Sequence, residues 1–210
     1  MLVAPGNHDL DRTQNDTFDQ GEAVAAGSQF FDPTKAGQSK RQILAPRFKA
    51  FRQRGTADGA NDWILDPVGG FAEVIEVRGR RVGIAGINTA WLSKDDHDKE
   101  RLTPGVPLVE AALDRIKGAD ARFVLGHHPL TWLVEEHAER LRGLFGSREV
   151  IYLHGHLHKT EGRREEGAGN TFLVLQSGAA FQARDDEPWQ NGLLWGEIDL
   201  VAGEVLVSPR

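Results

Sequence analysis

Short apolar runs alternate with longer segments of helical spacing along most of the chain, a pattern typical of α/β proteins. The runs at residues 123–125 and 150–153 are continuous, which predicts buried parallel strands. A glycine follows the first run directly and follows the second after His154. Residues 1–4 form a shorter apolar stub, and we expect them to be the end of a further buried strand. Apolar positions at helical spacing predict helices over residues 43–51, 108–116 and about 132–144.

The remaining apolar runs have the spacing of antiparallel strands. Residues 71–77 and 81–87 flank a short segment with glycine at its centre, which predicts a β-hairpin. Beyond Lys159 the pattern contains strands without helices, and we expect the strands at residues 172–175, 193–198 and 204–207 to form an antiparallel sheet that closes the domain.

The composition limits the class of protein. With 210 residues, of which 40% are hydrophobic, we expect a single domain over residues 1–210. No apolar run approaches the ~18 residues that cross a bilayer, and residues 1–5 lack the charged and apolar regions of a signal peptide. We therefore expect a cytoplasmic protein with no membrane partner. The net charge of −6 gives no general attraction to nucleic acid, which leaves nucleic acid possible only as a substrate.

Three short histidine-bearing strings carry the candidate chemistry, and each follows a predicted strand. In open α/β sheets, sites are assembled at the carboxyl ends of the strands. Imidazole nitrogens and amide oxygens suit divalent transition metals, and a glycine before them lets the backbone approach closely. Because the chain has no cysteine, its metal ligands must be His, Asp, Glu or Asn. The strings are Gly6-Asn7-His8-Asp9, Gly126-His127-His128-Pro129 and Gly155-His156-Leu157-His158.

The order of these strings resembles the calcineurin-like metallophosphoesterase superfamily. Gly-Asn-His-Asp, Gly-His-x-Pro and Gly-His-x-His match its downstream motifs in order and spacing, so the resemblance covers most of the chain. It implies an α/β fold of the metallophosphoesterase type, a two-sheet β-sandwich flanked by helices. The upstream motifs of the superfamily, Asp-x-His and Gly-Asp-x-x-Asp, have no counterpart in the sequence. We therefore expect an N-terminally truncated domain that lacks the first βαβ unit, with further domains possible beyond both ends.

The resemblance assigns a role to each residue that matches a motif. It makes Asn7, His127 and His156 ligands of the second of two metal ions, and His158 a ligand of the first. His127 is preferred to its neighbour His128 because the ligand of the superfamily lies two residues before the proline. His8 is similar to the catalytic histidine, which lies near the metals without binding them. Asp9 resembles the carboxylate that orients that histidine.

The implied function is metal-dependent hydrolysis of a phosphoester, as a phosphodiesterase or a phosphatase. In the intact protein two ions, Mn, Fe or Zn, polarise the phosphoryl group and activate a bridging hydroxide. In this chain His158 is the one matched ligand of the first ion, so we expect at most one weakly bound metal and weak or no catalysis. The alternative is a catalytically inactive phosphoesterase-like scaffold or regulatory module.

Two further residues are candidates for substrate binding. His154 lies on the same predicted strand as the last histidine string, and either contacts the substrate or metal ligands or belongs to the core. Asn88 and its neighbour Thr89 follow the strand at residues 81–87, where they either touch the substrate or cap the loop. The sequence leaves both pairs of alternatives open.

Overall fold

The computed structural model describes residues 2–17, 19–25, 28–54, 62–158, 160–178 and 192–209. Within these ranges the strands are β1 Gly70–Val77, β2 Arg80–Ile87, β3 Ala121–Leu125, β4 Val150–His154, β5 Glu161–Gly167, β6 Asn170–Gln176, β7 Leu194–Asp199 and β8 Glu204–Pro209. A six-stranded sheet has the strand order β1-β2-β3-β4-β6-β5, and β7 and β8 form a separate antiparallel pair. The strands β2, β3, β4 and β6 run parallel at the centre of the large sheet, and the edge strands β1 and β5 run antiparallel to their neighbours.

Helices flank the large sheet and fill the segment that precedes it. The α-helices are α1 Gln20–Val24, α2 Lys35–Arg41, α3 Lys49–Gln53, α4 Val106–Arg115 and α5 Glu135–Ser147. Short 3₁₀ helices connect them at Arg12–Thr17, Gln42–Phe48, Asp62–Leu65 and Leu130–Trp132. No helix in the described ranges is both long and apolar enough to cross a membrane.

Two apolar cores hold these elements together. The larger core lies between α4 and α5 and one face of the large sheet, where Val124 and Tyr152 pack with Leu113 and Phe145. The second core joins the N-terminal segments to the loop after β2 and is centred on Phe48 and Trp91, whose rings meet edge to face at 5.5 Å. The second core therefore anchors residues 2–17 beside the carboxyl ends of the parallel strands.

The residues that the structure describes cover the second face of the large sheet less completely. Phe123, Leu125 and Leu153 on this face are half-buried and line a cleft whose other wall is the β7–β8 pair. On that pair, Trp195 and Leu206 remain 65% and 64% exposed. The predicted α/β fold class, with two sheets and flanking helices, is confirmed, although the smaller sheet covers only part of the larger one.

Several predicted elements are confirmed with altered boundaries. The hairpin forms β1 and β2, and its turn places Arg78 and Gly79 at positive φ angles of 51° and 73°, which glycine adopts readily. The helix predicted over residues 43–51 is divided into a 3₁₀ helix and α3, because Pro46 lacks the N–H that an α-helix would use.

Two expectations about strands are wrong, and one strand was missed. Residues 2–4 are not a strand, because no described neighbour supplies the ladder of hydrogen bonds that a strand needs. β6 pairs parallel with β4 inside the large sheet and does not belong to an antiparallel closing sheet. The charged edge strand β5 was not predicted, because it has no apolar run. Charges of this kind are common on edge strands, which must avoid pairing with other chains.

Candidate metal centre

The carboxyl ends of two neighbouring parallel strands place two of the histidine strings side by side. β3 ends at Leu125, which is paired in register with Leu153 near the end of β4. The ladder continues beyond the strands, because Gly126 N donates to Leu153 O at 2.9 Å and Gly155 N donates to His127 O at 3.2 Å. The two loops that follow the strands therefore lie in contact along their length.

Three predicted ligands of one metal ion converge at this edge of the sheet. The Nε2 atom of His127 lies 3.0 Å from Asn7 Oδ1 and 3.2 Å from His156 Nδ1. Ligands of one ion at bond lengths of about 2.1 Å, separated by angles of about 90–110°, lie roughly 3.0–3.4 Å apart. Both distances from His127 Nε2 are thus those expected between ligands of one ion. Their polar lone pairs would repel one another unless a cation or a proton lay between them.

No carboxylate joins this convergence within the described ranges. Candidate ligand atoms of His127, His128 and His156 all lie within 4.8 Å of one another, and no acidic residue belongs to the group. Asn7, which is buried, adds a neutral amide oxygen. The donor set fits a transition metal such as zinc, which accepts nitrogen and oxygen ligands, but it does not neutralise the charge of the ion.

The approach of Gly6 to the His127 ring fixes part of this geometry. A Cβ atom at position 6 would lie 2.7 Å from both Cε1 and Nδ1 of His127. Such a contact is too short, so any side chain here must displace the ring. At Gly155, by contrast, a Cβ atom would meet nothing within 4 Å. The expected close approach is therefore present at the first string and absent at the third.

Replacing Gly6 with alanine is expected to weaken metal binding at least tenfold, because displaced ligands and their supports typically cost about 10- to 100-fold in affinity. Zinc titration monitored by calorimetry measures the change. Gly155→Ala is the matched control, since its added methyl group has free space, and its affinity should stay within about twofold of the unchanged protein. Equal losses in the two variants would contradict the proposed contact.

Burial keeps the clustered imidazoles neutral. Desolvation is the main reason that the pKa of His127 falls to about 3, and the neighbouring His156 lowers it further. The pKa of His156 falls to about 4 for the same reason, with His158 as the next contributor. At neutral pH both rings are uncharged, so each has a lone pair that can bind a metal without release of a proton.

These low pKa values predict that the metal-free protein loses stability in mild acid. In the unfolded chain the imidazoles titrate near 6.5, so as the pH falls the unfolded state takes up protons before the folded state does. The stabilisation is complete above a pH of about 6.5 and is lost as the pH falls towards about 4. We expect urea unfolding in EDTA to show at least roughly 2 kcal/mol less stability at about pH 5 than at about pH 7.5. His127→Gln should reduce this difference, and equal stability at the two pH values would contradict it.

Two of the predicted ligands adopt strained backbone conformations. His156 and His158 have φ angles of 70° and 51°, in the left-handed region that residues other than glycine seldom occupy. Such conformations cost about 1–3 kcal/mol each and are concentrated at functional sites. His156 belongs to the converging cluster, whereas His158 is half-buried outside it.

The second histidine of the Gly-His-His-Pro string has a different environment from the first. Thr89 Oγ1 accepts hydrogen bonds from the backbone N–H groups of His127 at 3.3 Å and His128 at 3.1 Å. With both lone pairs used, its hydroxyl donates to His128 Nδ1 at 2.9 Å, which leaves the proton of this neutral ring on Nε2. His128 is fully buried and its ring stacks on Trp132. A protonated Nε2 is not a metal ligand, and this agrees with the preference for His127.

The predicted catalytic pair lies at the rim of the cluster. His8 is exposed, and its charge when protonated would oppose protonation of both His127 and His156. Asp9 accepts a hydrogen bond from Gly6 N at 2.9 Å and lies 3.9 Å from Arg54 Nη1. Within the described ranges no hydrogen bond joins Asp9 to His8, so the orienting role of Asp9 stays a prediction.

The two candidates for substrate binding are both buried. Asn88 Oδ1 accepts from Ala90 N at 2.8 Å, which is the loop-capping arrangement, while its Nδ2 atom has no hydrogen-bond partner. His154 donates from Nδ1 to Gly155 O at 3.0 Å and packs its ring against Tyr152. Its Nε2 atom is buried without a partner, and burial lowers its pKa to about 4. Both side chains therefore support loops of the site from within the protein.

The sequence indicated that Thr89 touches the substrate or caps the loop, but it did not predict the contacts that the Thr89 hydroxyl makes with the second string. Its hydroxyl joins the end of β2 to the loop after β3 and sets the tautomer of His128. The available signal was its position directly after a predicted strand, since such positions collect site residues. That signal does not separate a contact with the substrate from a contact with a neighbouring loop.

Comparison with known proteins agrees with the resemblance of the three strings. The family model described as calcineurin-like phosphoesterase matches residues 1–160, a segment that contains all three strings. No curated protein and no solved structure matches the chain. Since the match covers well over half of the 210 residues, the chain belongs to the calcineurin-like phosphoesterase family.

Proposed function

We propose that this protein hydrolyses phosphoesters in a metal-dependent reaction. The observation that carries the proposal is the convergence of Asn7, His127 and His156, whose donor atoms lie 3.0 and 3.2 Å apart in pairs around His127 Nε2. Membership of the calcineurin-like phosphoesterase family supports metal-dependent phosphoester hydrolysis in general. The specific substrate and the number of ions belong to the proposal.

In the proposed reaction some residues of the chain bind the metal ion and another transfers a proton. When bound, metal ions in such a site polarise the phosphoryl group and make water a stronger nucleophile at neutral pH. Asn7, His127 and His156 would hold one ion. We assign to His8, which is exposed, the transfer of a proton to the leaving oxygen of the ester.

The dinuclear form of the reaction requires ligands for another ion. His158 is the residue that we propose for it, and within the described ranges no acidic residue joins the histidine cluster. A single imidazole does not hold an ion firmly, because structural and catalytic sites use at least three protein ligands. We therefore expect the 210-residue chain to bind one ion and to catalyse weakly or not at all.

The test is the release of p-nitrophenol from bis(p-nitrophenyl) phosphate and from p-nitrophenyl phosphate, with and without Mn²⁺. It should be run on the 210-residue chain and on a version extended through any in-frame codons upstream of Met1. Manganese-dependent turnover that is much faster in the extended version supports the proposal. Fast turnover by the 210-residue chain would refute the ligand argument, and no turnover by either version would refute the proposed hydrolysis.

A non-enzymatic module of the same fold is the second candidate. It is favoured by the purely neutral donor set, since no carboxylate offsets the charge of a bound ion. A module of this kind would bind metal or a phosphate ester without consuming the ester. Binding of the ester without release of product by the extended version would select this alternative.

Replacing His8 with alanine is expected to lower turnover of the active version about 10²- to 10⁴-fold, the usual contribution of a general acid. Metal content should not change, because His8 lies outside the converging cluster. His97→Ala is the matched control, since His97 is an exposed histidine paired with Asp95. Loss of metal from His8→Ala, or equal activity in the two variants, would contradict the assigned role.

A further inference from the structure

Arg12 lies beside the candidate metal centre, and neither the three strings nor the proposed reaction gives it a role. Its Nε atom donates to the backbone carbonyl of Asn7 at 3.1 Å, which attaches the guanidinium to the loop that carries a proposed ligand. Burial is the main reason for the low pKa values of His128 and His156, and the charge of Arg12 lowers both further. Its positive charge is thus within electrostatic reach of the cluster.

The other nitrogens of this guanidinium are poorly used by the protein. Nη1 donates to Asp96 Oδ1 at 3.3 Å, and the Asp96 side chain is 93% exposed. Exposed ion pairs of this kind contribute little, so the carboxylate is easily replaced. Nη2 is buried and has no hydrogen-bond partner among the described residues. An unpaired buried N–H group is costly and favours any anion that can reach it.

The chemistry of the site indicates which anion would bind. The cluster contains only neutral donors, so a bound ion would keep its positive charge and add to that of Arg12. The planar fork of a guanidinium matches two oxygens of a phosphoryl group. We propose that Arg12 binds the phosphoryl oxygens of the substrate beside the metal centre, and that Asp96 occupies the guanidinium until the substrate replaces it. The inference rests on the proposed function, and it adds a residue that binds the phosphoryl group of the substrate.

Calorimetric titration of the zinc-loaded chain with inorganic phosphate tests the proposal. Arg12→Gln should weaken phosphate binding about tenfold or more, since it removes a charge-assisted hydrogen-bonding fork. Asp96→Asn should tighten binding by roughly two- to fivefold, because it removes a competitor whose pairing is of surface strength. These opposite effects on phosphate affinity are expected if phosphate replaces Asp96 on Arg12, and they are not expected if the ion pair is purely structural.

Two further variants guard against a general effect of charge or folding. Arg52→Gln removes a positive charge from an ion pair with Asp62 and should leave phosphate affinity unchanged. Arg12→Lys keeps the charge without the fork and should bind phosphate with intermediate affinity. The zinc content of all variants should match that of the unchanged chain. If Arg12 acted only by positioning Asn7, Arg12→Gln would instead lose zinc.

The proposal is overturned if Arg12→Gln binds phosphate normally, if it loses zinc, or if Asp96→Asn binds phosphate no better than the unchanged chain. These outcomes are distinct from failure of the proposed hydrolysis. Phosphate binding that depends on Arg12 without any turnover of esters would uphold the anion site and refute the enzyme. Turnover of esters together with normal phosphate binding by Arg12→Gln would uphold the enzyme and refute the anion site.

Discussion

Replacing His156 with alanine is expected to abolish retention of the metal ion. The change removes one of three converging donors and leaves Asn7 and His127, which are too few to hold a transition metal against water. We expect at least about a 100-fold loss of zinc affinity. Metal content by mass spectrometry after gel filtration, together with calorimetric titration, measures the effect.

His158→Ala is the matched control for this prediction. His158 follows in the same string and shares the unusual positive φ angle, but it lies outside the group of clustered ligand atoms. The single ion of the chain should therefore stay bound in this variant. If His158→Ala lost the ion as completely as His156→Ala, the assignment of the two histidines to different ions would be wrong.

Replacing Arg47 with methionine is expected to destabilise the protein by about 3 kcal/mol or more, the usual effect of removing one partner from a buried ionic network. Arg47 is fully buried, and its Nη1 atom donates to Trp91 O at 3.0 Å while Nη2 donates to Ser93 O. Burial lowers its pKa to about 10, and the negative charge of Asp98 opposes part of this shift. The variant would leave two carbonyl groups without this donor and would remove the positive charge that offsets the buried Asp98.

Urea unfolding measures this loss, and Arg52→Met provides the comparison. Arg52 pairs with Asp62 on the surface, so its replacement should cost less than about 1 kcal/mol. A similar loss of stability in both variants would show that burial of Arg47 is not the reason for its effect. A stable Arg47→Met variant would show that the loop after β2 is held by its apolar contacts alone.

The sequence predicted the centre of the fold because its strands are apolar and continuous. β3 and β4 were recognisable as buried parallel strands, and parallel neighbours must end at one edge of the sheet. The positions of these strands alone therefore predict that His127 and His156 lie close together. The convergence with Asn7 required more, since residues 2–6 form no strand and reach the site through the second core.

Other features left no pattern that periodicity or a motif could detect. β5 contains mainly charged residues, and its pairing with β6 becomes evident only when the neighbouring strand is in place. The positive φ angles of His156 and His158 are imposed by the loop and not by their residue type. The hydroxyl of Thr89 forms hydrogen bonds with a second loop, and its partner His127 is 38 residues away in sequence.

The central claim is that Asn7, His127 and His156 form one metal site, and the stoichiometry of metal binding tests it most directly. Calorimetric titration of the metal-free, 210-residue chain with Zn²⁺ should show one ion per chain, and X-ray absorption of the loaded protein should show nitrogen and oxygen ligands that include two imidazoles. Two ions bound with similar affinity, no binding, or a ligand shell without imidazole would contradict the account.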